Sequence, residues 1–128
     1  ERDGVVRIMS GMFEAAIRFD MRLPELFCGI ERRGLGDAPV AYPVACVPQA
    51  WAAGSAFMLL QACLGVTVDH RRGLRMRQPR LPAGVDLITI GDLDVGGEKH
   101  TLTFQRVGPK VAVFSDRHFN GAVPLVTG

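Results

Sequence analysis

The run from Ala50 to Leu64, AWAAGSAFMLLQACL, constrains this chain more than any other feature. It carries no charged residue and is interrupted only by Gly54, Ser55 and Gln61. Pro48 suits the first turn of a helix over this stretch, and Gly65 suits the position just beyond its end. Such a helix has almost no polar face, and a helix apolar all round is normally buried on every side. It is shorter than the roughly 20 residues that a bilayer span requires, so no transmembrane helix is expected. The cover must therefore come from protein. One partner is visible: Val5, Ile8, Met9, Met12, Phe13 and Ala16 recur at helical spacing and predict an amphipathic helix from Gly4 to Phe19. Pro24 sets its latest possible end. A single amphipathic helix and a small sheet cannot cover the second helix. Further helices of a longer chain, or a helical oligomer, would have to do so.

Beyond Gly65 the hydrophobic period changes to that of strands. Expected strands are Val66 to Asp69, Leu74 to Arg77, Asp86 to Ile90, Leu93 to Val95, Glu98 to Arg106 and Lys110 to Ser115. Arg71–Gly73, Gly96–Gly97 and Gly108–Pro109 punctuate them as tight turns. Alternation puts Leu74 and Met76, and likewise Leu102 and Phe104, on inward faces. Phe119 to Gly128 would add an edge or fray. The expected class is α+β: two helices in residues 1–65, then a small antiparallel sheet region in residues 66–128.

Charge and cysteine content narrow the function. The formal net charge is only +2, so no strong field directs the chain to nucleic acid. The one basic run, His70, Arg71, Arg72, Arg75, Arg77 and Arg80, alternates with Leu74 and Met76. That places its arginines on the solvated face of a hairpin, with no interleaved aromatics for base stacking. Cys28, Cys46 and Cys63 are odd in number and lack zinc-site spacing, which favours reduced thiols in the cytoplasm over a secreted disulfide framework. Cys46 reads as a small buried thiol. His70, His100 and His118 read as surface or turn residues without metal or triad spacing, and Gly96–Gly97 as a turn without a phosphate-loop context. No metal site or cofactor motif is read. The chain starts at Glu1 without a signal-peptide pattern, so removal of a tag or of a longer preceding chain is expected.

The segment 20–47 is too long for an ordinary connection, and loops of that length tend to be functional or disordered. Leu26, Phe27, Ile30, Tyr42, Val44 and Cys46 can pack, while Arg32, Arg33, Gly34 and Gly36 mark a mobile tip. Within this loop Glu25 stands out. Pro24 stiffens the backbone before it, Leu26 and Phe27 can anchor the chain after it, and Arg22 lies close enough to share its hydrogen bonds. A helix-end or surface carboxylate is the plainer reading of Glu25.

Three blocks bear on that choice: Arg22-Leu23-Pro24-Glu25-Leu26-Phe27, Tyr42-Pro43-Val44-Ala45-Cys46 and Pro48-Gln49-Ala50-Trp51-Ala52-Ala53-Gly54. In that order they resemble the C-terminal part of amylo-α-1,6-glucosidases, the glycogen-debranching type of glycoside hydrolase. The resemblance covers the helix–loop–helix portion; the strand-rich half matches only in general character. It implies that residues 1–65 are the last helix pair of an α/α toroid with the catalytic-base loop, acting on an α-glucan or oligosaccharide. It also implies that Glu25 is the general base of an inverting hydrolysis, taking a proton from the water that attacks the anomeric carbon. The general acid of the family is an Asp on an earlier loop. Inversion needs both carboxylates, roughly 6.5–9.5 Å apart. The chain alone would therefore be inactive.

The remaining candidates for substrate contact are Arg22, Tyr42, Gln49 and Trp51. Trp51 could stack on a sugar ring or anchor the core of its helix. Gln49 could orient the Glu25 loop or cap the helix, and Tyr42 or Arg22 could reach a sugar hydroxyl or Glu25. Two other classes of function compete: an interaction module that self-associates through the second helix, and a basic nucleic-acid-binding domain.

Overall fold

A computed structural model describes residues 2–31, 33–34, 37–69 and 73–117. The class is α+β. Helix α1 spans Arg2–Arg18 and α2 spans Ala50–Leu64. Strands β1 (Val66–Asp69) and β2 (Gly73–Met76) form an antiparallel pair. Strands β3 (Leu87–Val95), β4 (Glu98–Val107) and β5 (Lys110–Ser115) form an antiparallel sheet in that order. No described helix is long and apolar enough to cross a membrane. Residues His70, Arg71, Arg72 and His118, the tip residues Arg32 and Gly36, and the Phe119 to Gly128 tail lie outside the described residues.

The helices meet through small side chains. Ala15 and Ala16 of α1 and Ala52 of α2 are buried together with Leu23, and Met12 and Phe27 pack against them. Alanines at a helix–helix contact allow close approach of the two backbones. α1 ends in a Schellman arrangement: Asp20 adopts φ 55°, and the Met21 N–H donates to Ala16 O at 2.7 Å. Helix α2 covers the expected apolar run, Ala50–Leu64. Gln49 is its N-cap, with an extended backbone, so Pro48 lies before the first turn rather than within it.

The far end of α2 runs straight into the sheet region. Gly65 adopts φ 62°, and its N–H donates to Gln61 O. The segment after β2 closes this junction, with Arg77 N–H donating to Gly65 O at 3.1 Å and Arg80 N–H to Cys63 O at 2.8 Å. Leu64 belongs to the same core as Val66, Leu74, Met76, Leu81, Leu102 and Phe104, and Leu60 packs against it. The last turn of α2 is thus part of the sheet's hydrophobic core. Burial also pushes the Cys63 thiol up, because its thiolate would lose hydration there.

Two expectations for the strands change. Asp86 to Ile90 and Leu93 to Val95 form one strand, not two. A register shift between Ile90 and Leu93, with Asp92 at φ 53°, absorbs the irregularity as a bulge. His100 is buried, only 4% exposed, rather than at the surface. It precedes Leu102 by two residues on β4 and therefore shares its inward face, with Nε2 4.0 Å from Glu98 Oε2.

Arg106 holds the β2–β3 connection to the sheet. Its guanidinium donates to Leu81 O, Pro82 O and Val85 O at 3.2, 2.8 and 2.9 Å, and to Asp86 Oδ1 at 3.1 Å. The planar fork of arginine suits this multiple engagement; lysine would not reproduce it. At the end of the β4–β5 ladder, Asp116 accepts the Thr101 N–H at 2.8 Å. That bond holds the Asp116 carboxyl below its usual range.

Candidate active-site loop

The loop after α1 is organised by backbone hydrogen bonds. Gln49 N–H donates to Leu23 O at 3.1 Å, Glu25 N–H to Cys46 O at 2.9 Å, Tyr42 N–H to Leu26 O at 3.1 Å and Cys28 N–H to Val40 O at 2.7 Å. Phe27 and Ala41 form an antiparallel bridge. Residues 23–28 are therefore stapled along residues 40–49, although only this bridge qualifies as sheet. Side chains fix the staple to the helices. Leu23 and Pro24 are buried, and Phe27 meets Phe19 edge-on with ring centroids 5.6 Å apart. Further out, Asp37 Oδ2 accepts the N–H groups of Arg33 and Gly34 at 2.9 and 3.0 Å, a local turn that satisfies the backbone there.

Glu25 sits in the middle of this braced segment and is half-buried. Its carboxylate accepts the Cys46 N–H at 3.4 Å, while its own N–H goes to the carbonyl of the same residue. The reciprocal pair ties both its backbone and its side chain to the opposite limb. Among the described residues no ion pair joins Glu25 to Arg22, which is exposed and contributes its backbone N–H to Phe19 O. The expected partnership is replaced by the Cys46 amide. Sequence reasoning missed this contact because it is made by a backbone group, which leaves no trace in residue type.

Gln49 serves structure. Its Oε1 accepts the Ala50 N–H at 2.9 Å, and its backbone N–H holds the Glu25 limb through Leu23 O. Cys46 is exposed, not the buried thiol expected, because its backbone faces Glu25 and its side chain faces outward. Trp51 also departs from a core role: it is 67% exposed. Tyr42, on the limb opposite Leu26, is exposed too. The outer side of α2 is bare, with Phe57 and Met58 at 74% and 72% exposure, and Phe13 and Ile17 of α1 are likewise exposed. The apolar stripe read for α1 thus exceeds what α2 covers.

Chemically, the loop presents one positioned carboxylate, Glu25, and the exposed aromatic Tyr42, with exposed Trp51 in the first turn of α2. Among the described residues no cluster of His, Cys, Asp or Glu could hold a metal ion. Comparison with protein-family models, curated proteins and solved structures found no match to this chain.

Proposed function

We propose that this chain is the C-terminal part of an inverting glycoside hydrolase of the amylo-α-1,6-glucosidase type, in which Glu25 is the general base. The observation that carries the reading is the double attachment of Glu25 to Cys46 on a loop stapled between two helices. A general base must be held still while it orients one water, and a carboxylate on an unbraced loop would not be. The bare outer sides of α1 and α2 support the toroid part of the reading, in which preceding helices of the same enzyme cover them. Those helices would also supply the general acid, so the 128 residues alone bind or position but do not turn over substrate. The three unpaired thiols, Cys28, Cys46 and Cys63, suit a reducing, cytoplasmic setting.

The test is Glu25→Gln in the longest form of the protein that contains this chain. Hydrolysis of an α-1,6-branched glucan should fall by about 10²–10⁴-fold, the usual worth of a general base, with the melting temperature nearly unchanged. Turnover within a few-fold of the parent would remove Glu25 from that role. A second reading draws on the exposure of Phe57 and Met58: a module that self-associates through α2. Under that reading the chain sediments as an oligomer, and Phe57→Ser with Met58→Ser returns it to a monomer. A monomeric parent chain would exclude self-association.

A further inference from the structure

We infer that α2 is a strut through which the strand region sets the position of Glu25, with Arg106 as the positioning residue at its far end. The catalytic consequence rests on the general-base reading of Glu25; the mechanical link does not.

Both contacts of Glu25 are made to the lead-in of α2. Cys46 takes the Glu25 N–H on its carbonyl, gives its own N–H to the carboxylate, and stands just ahead of the N-cap Gln49. Gln49 donates its N–H to Leu23 O at 3.1 Å and accepts the Ala53 N–H at 3.0 Å. The bond to the Glu25 limb therefore continues directly into the helical ladder. Leu23 and Pro24 are buried, and only Pro24, whose φ is fixed by its ring, separates this attachment from Glu25.

The other end of α2 is held by the strand region. Leu64 is fully buried in one core with Leu81, Leu102 and Phe104, and the carbonyls of Cys63 and Gly65 accept the N–H groups of Arg80 and Arg77. The segment that supplies these donors is fixed by Arg106, whose guanidinium meets the carbonyls of Leu81, Pro82 and Val85 and the carboxylate of Asp86. Arg106 lies on β4, so the clamp on α2 is anchored in the central strand of the three-stranded sheet.

Between its ends α2 is gripped lightly. Its buried contact with α1 sets Ala52 against Ala15 and Ala16, while Phe57 and Met58 are exposed. Alanines make shallow ridges, which resist sliding along the axis less than long interlocking side chains would. The helix itself does not yield, being a hydrogen-bonded rod about 22 Å long. A shift imposed at Leu64 therefore arrives at Gln49, and Cys46 and Glu25 move with it. Small sliding of packed helices is a common way for distant parts of a protein to be coupled. A reacting group misplaced by about 1 Å can cost about 10²-fold in rate, so a general base would feel such a shift.

Amide hydrogen exchange and steady-state kinetics on the longest form of the protein test the strut. The variants are Arg106→Gln, Arg106→Lys and, as a control, Asp116→Ala, which removes the Thr101 contact at the opposite end of β4. Arg106→Gln should speed exchange of the Arg77 and Arg80 amides about tenfold or more, as loss of charge-assisted hydrogen bonds implies. The Gln49 and Glu25 amides should follow, while amides of the β4–β5 ladder keep their rates. Hydrolysis of an α-1,6-branched glucan should lose kcat by about several-fold with KM unchanged, because the base acts in the transition state. Arg106→Lys keeps the charge without the fork and should fall between parent and Arg106→Gln. Asp116→Ala should leave Glu25 exchange as it is. Faster exchange at Arg77 and Arg80 with Gln49 and Glu25 unmoved overturns the strut. A rise shared by every amide, the β4–β5 ladder included, is loss of global stability alone and overturns it equally. The expected exchange pattern in a protein that hydrolyses no glucan keeps the strut and removes the general-base reading.

Discussion

Replacing Gly65 with alanine should destabilise the fold by about 2–5 kcal/mol, a large part of the roughly 5–15 kcal/mol that holds a domain of ordinary stability. Two costs combine. Gly65 adopts φ 62°, and a side chain in the left-handed region costs about 1–2 kcal/mol. A Cβ at this position would also stand 2.1 Å from Arg77 O, a backbone atom that cannot swing aside. Relieving that overlap means moving the segment that supplies the Arg77 N–H to Gly65 O and the Arg80 N–H to Cys63 O. Forced repacking of this kind typically costs about 1–3 kcal/mol and can cost more. Urea unfolding followed by circular dichroism would measure it. A midpoint within experimental error of the parent would show that the junction is softer than its geometry implies. Gly84→Ala is the natural comparison, since its φ is also positive, at 76°, but its added Cβ meets nothing within 4 Å.

The second large effect is expected at Phe104. This side chain is fully buried on the central strand β4, in one cluster with Leu64, Leu74, Met76 and Leu102. Phe104→Ala removes the ring from a core that draws on α2, β1, β2 and β4, and should cost about 3–5 kcal/mol. The loss should be global. The core spans the junction, so far-UV signal from helix and sheet should fall in one transition at a lower denaturant concentration. Two separated transitions, with only the sheet shifted, would show that α2 does not share the cooperative unit.

Residue patterning foretold the elements better than their exposure. β1 and β5 lie where alternation and turn residues placed them, because a two-residue period bounded by glycine and proline has few other readings. The expected division of β3 into two strands falls at Gly91-Asp92. Here it forms a bulge, and only the partner strand β4 reveals that pairing resumes at Leu93 opposite His100. His100 itself could have been placed. It leads the alternating series His100, Leu102, Phe104, and period two alone puts it inside. Trp51 and Cys46 could not. Their exposure depends on which side of α2 meets α1 and on which limb bonds Glu25, choices made by tertiary packing rather than by local pattern. The resemblance pointed to Glu25, whereas the amide that holds its carboxylate is visible only in three dimensions.

The staple around Glu25 also decides where this loop is free to change. The bond from Cys28 N–H to Val40 O and the Phe27–Ala41 bridge close the loop on itself before its outer part begins. Whatever joins Gly29 to Pro39 hangs from a finished clasp. Lengthening a closed loop costs little, about 0.6 kcal/mol for each doubling, and none of that cost is transmitted through the clasp to the carboxylate. Residues inserted beyond the clasp would therefore lengthen the loop at little cost while Glu25 keeps its position.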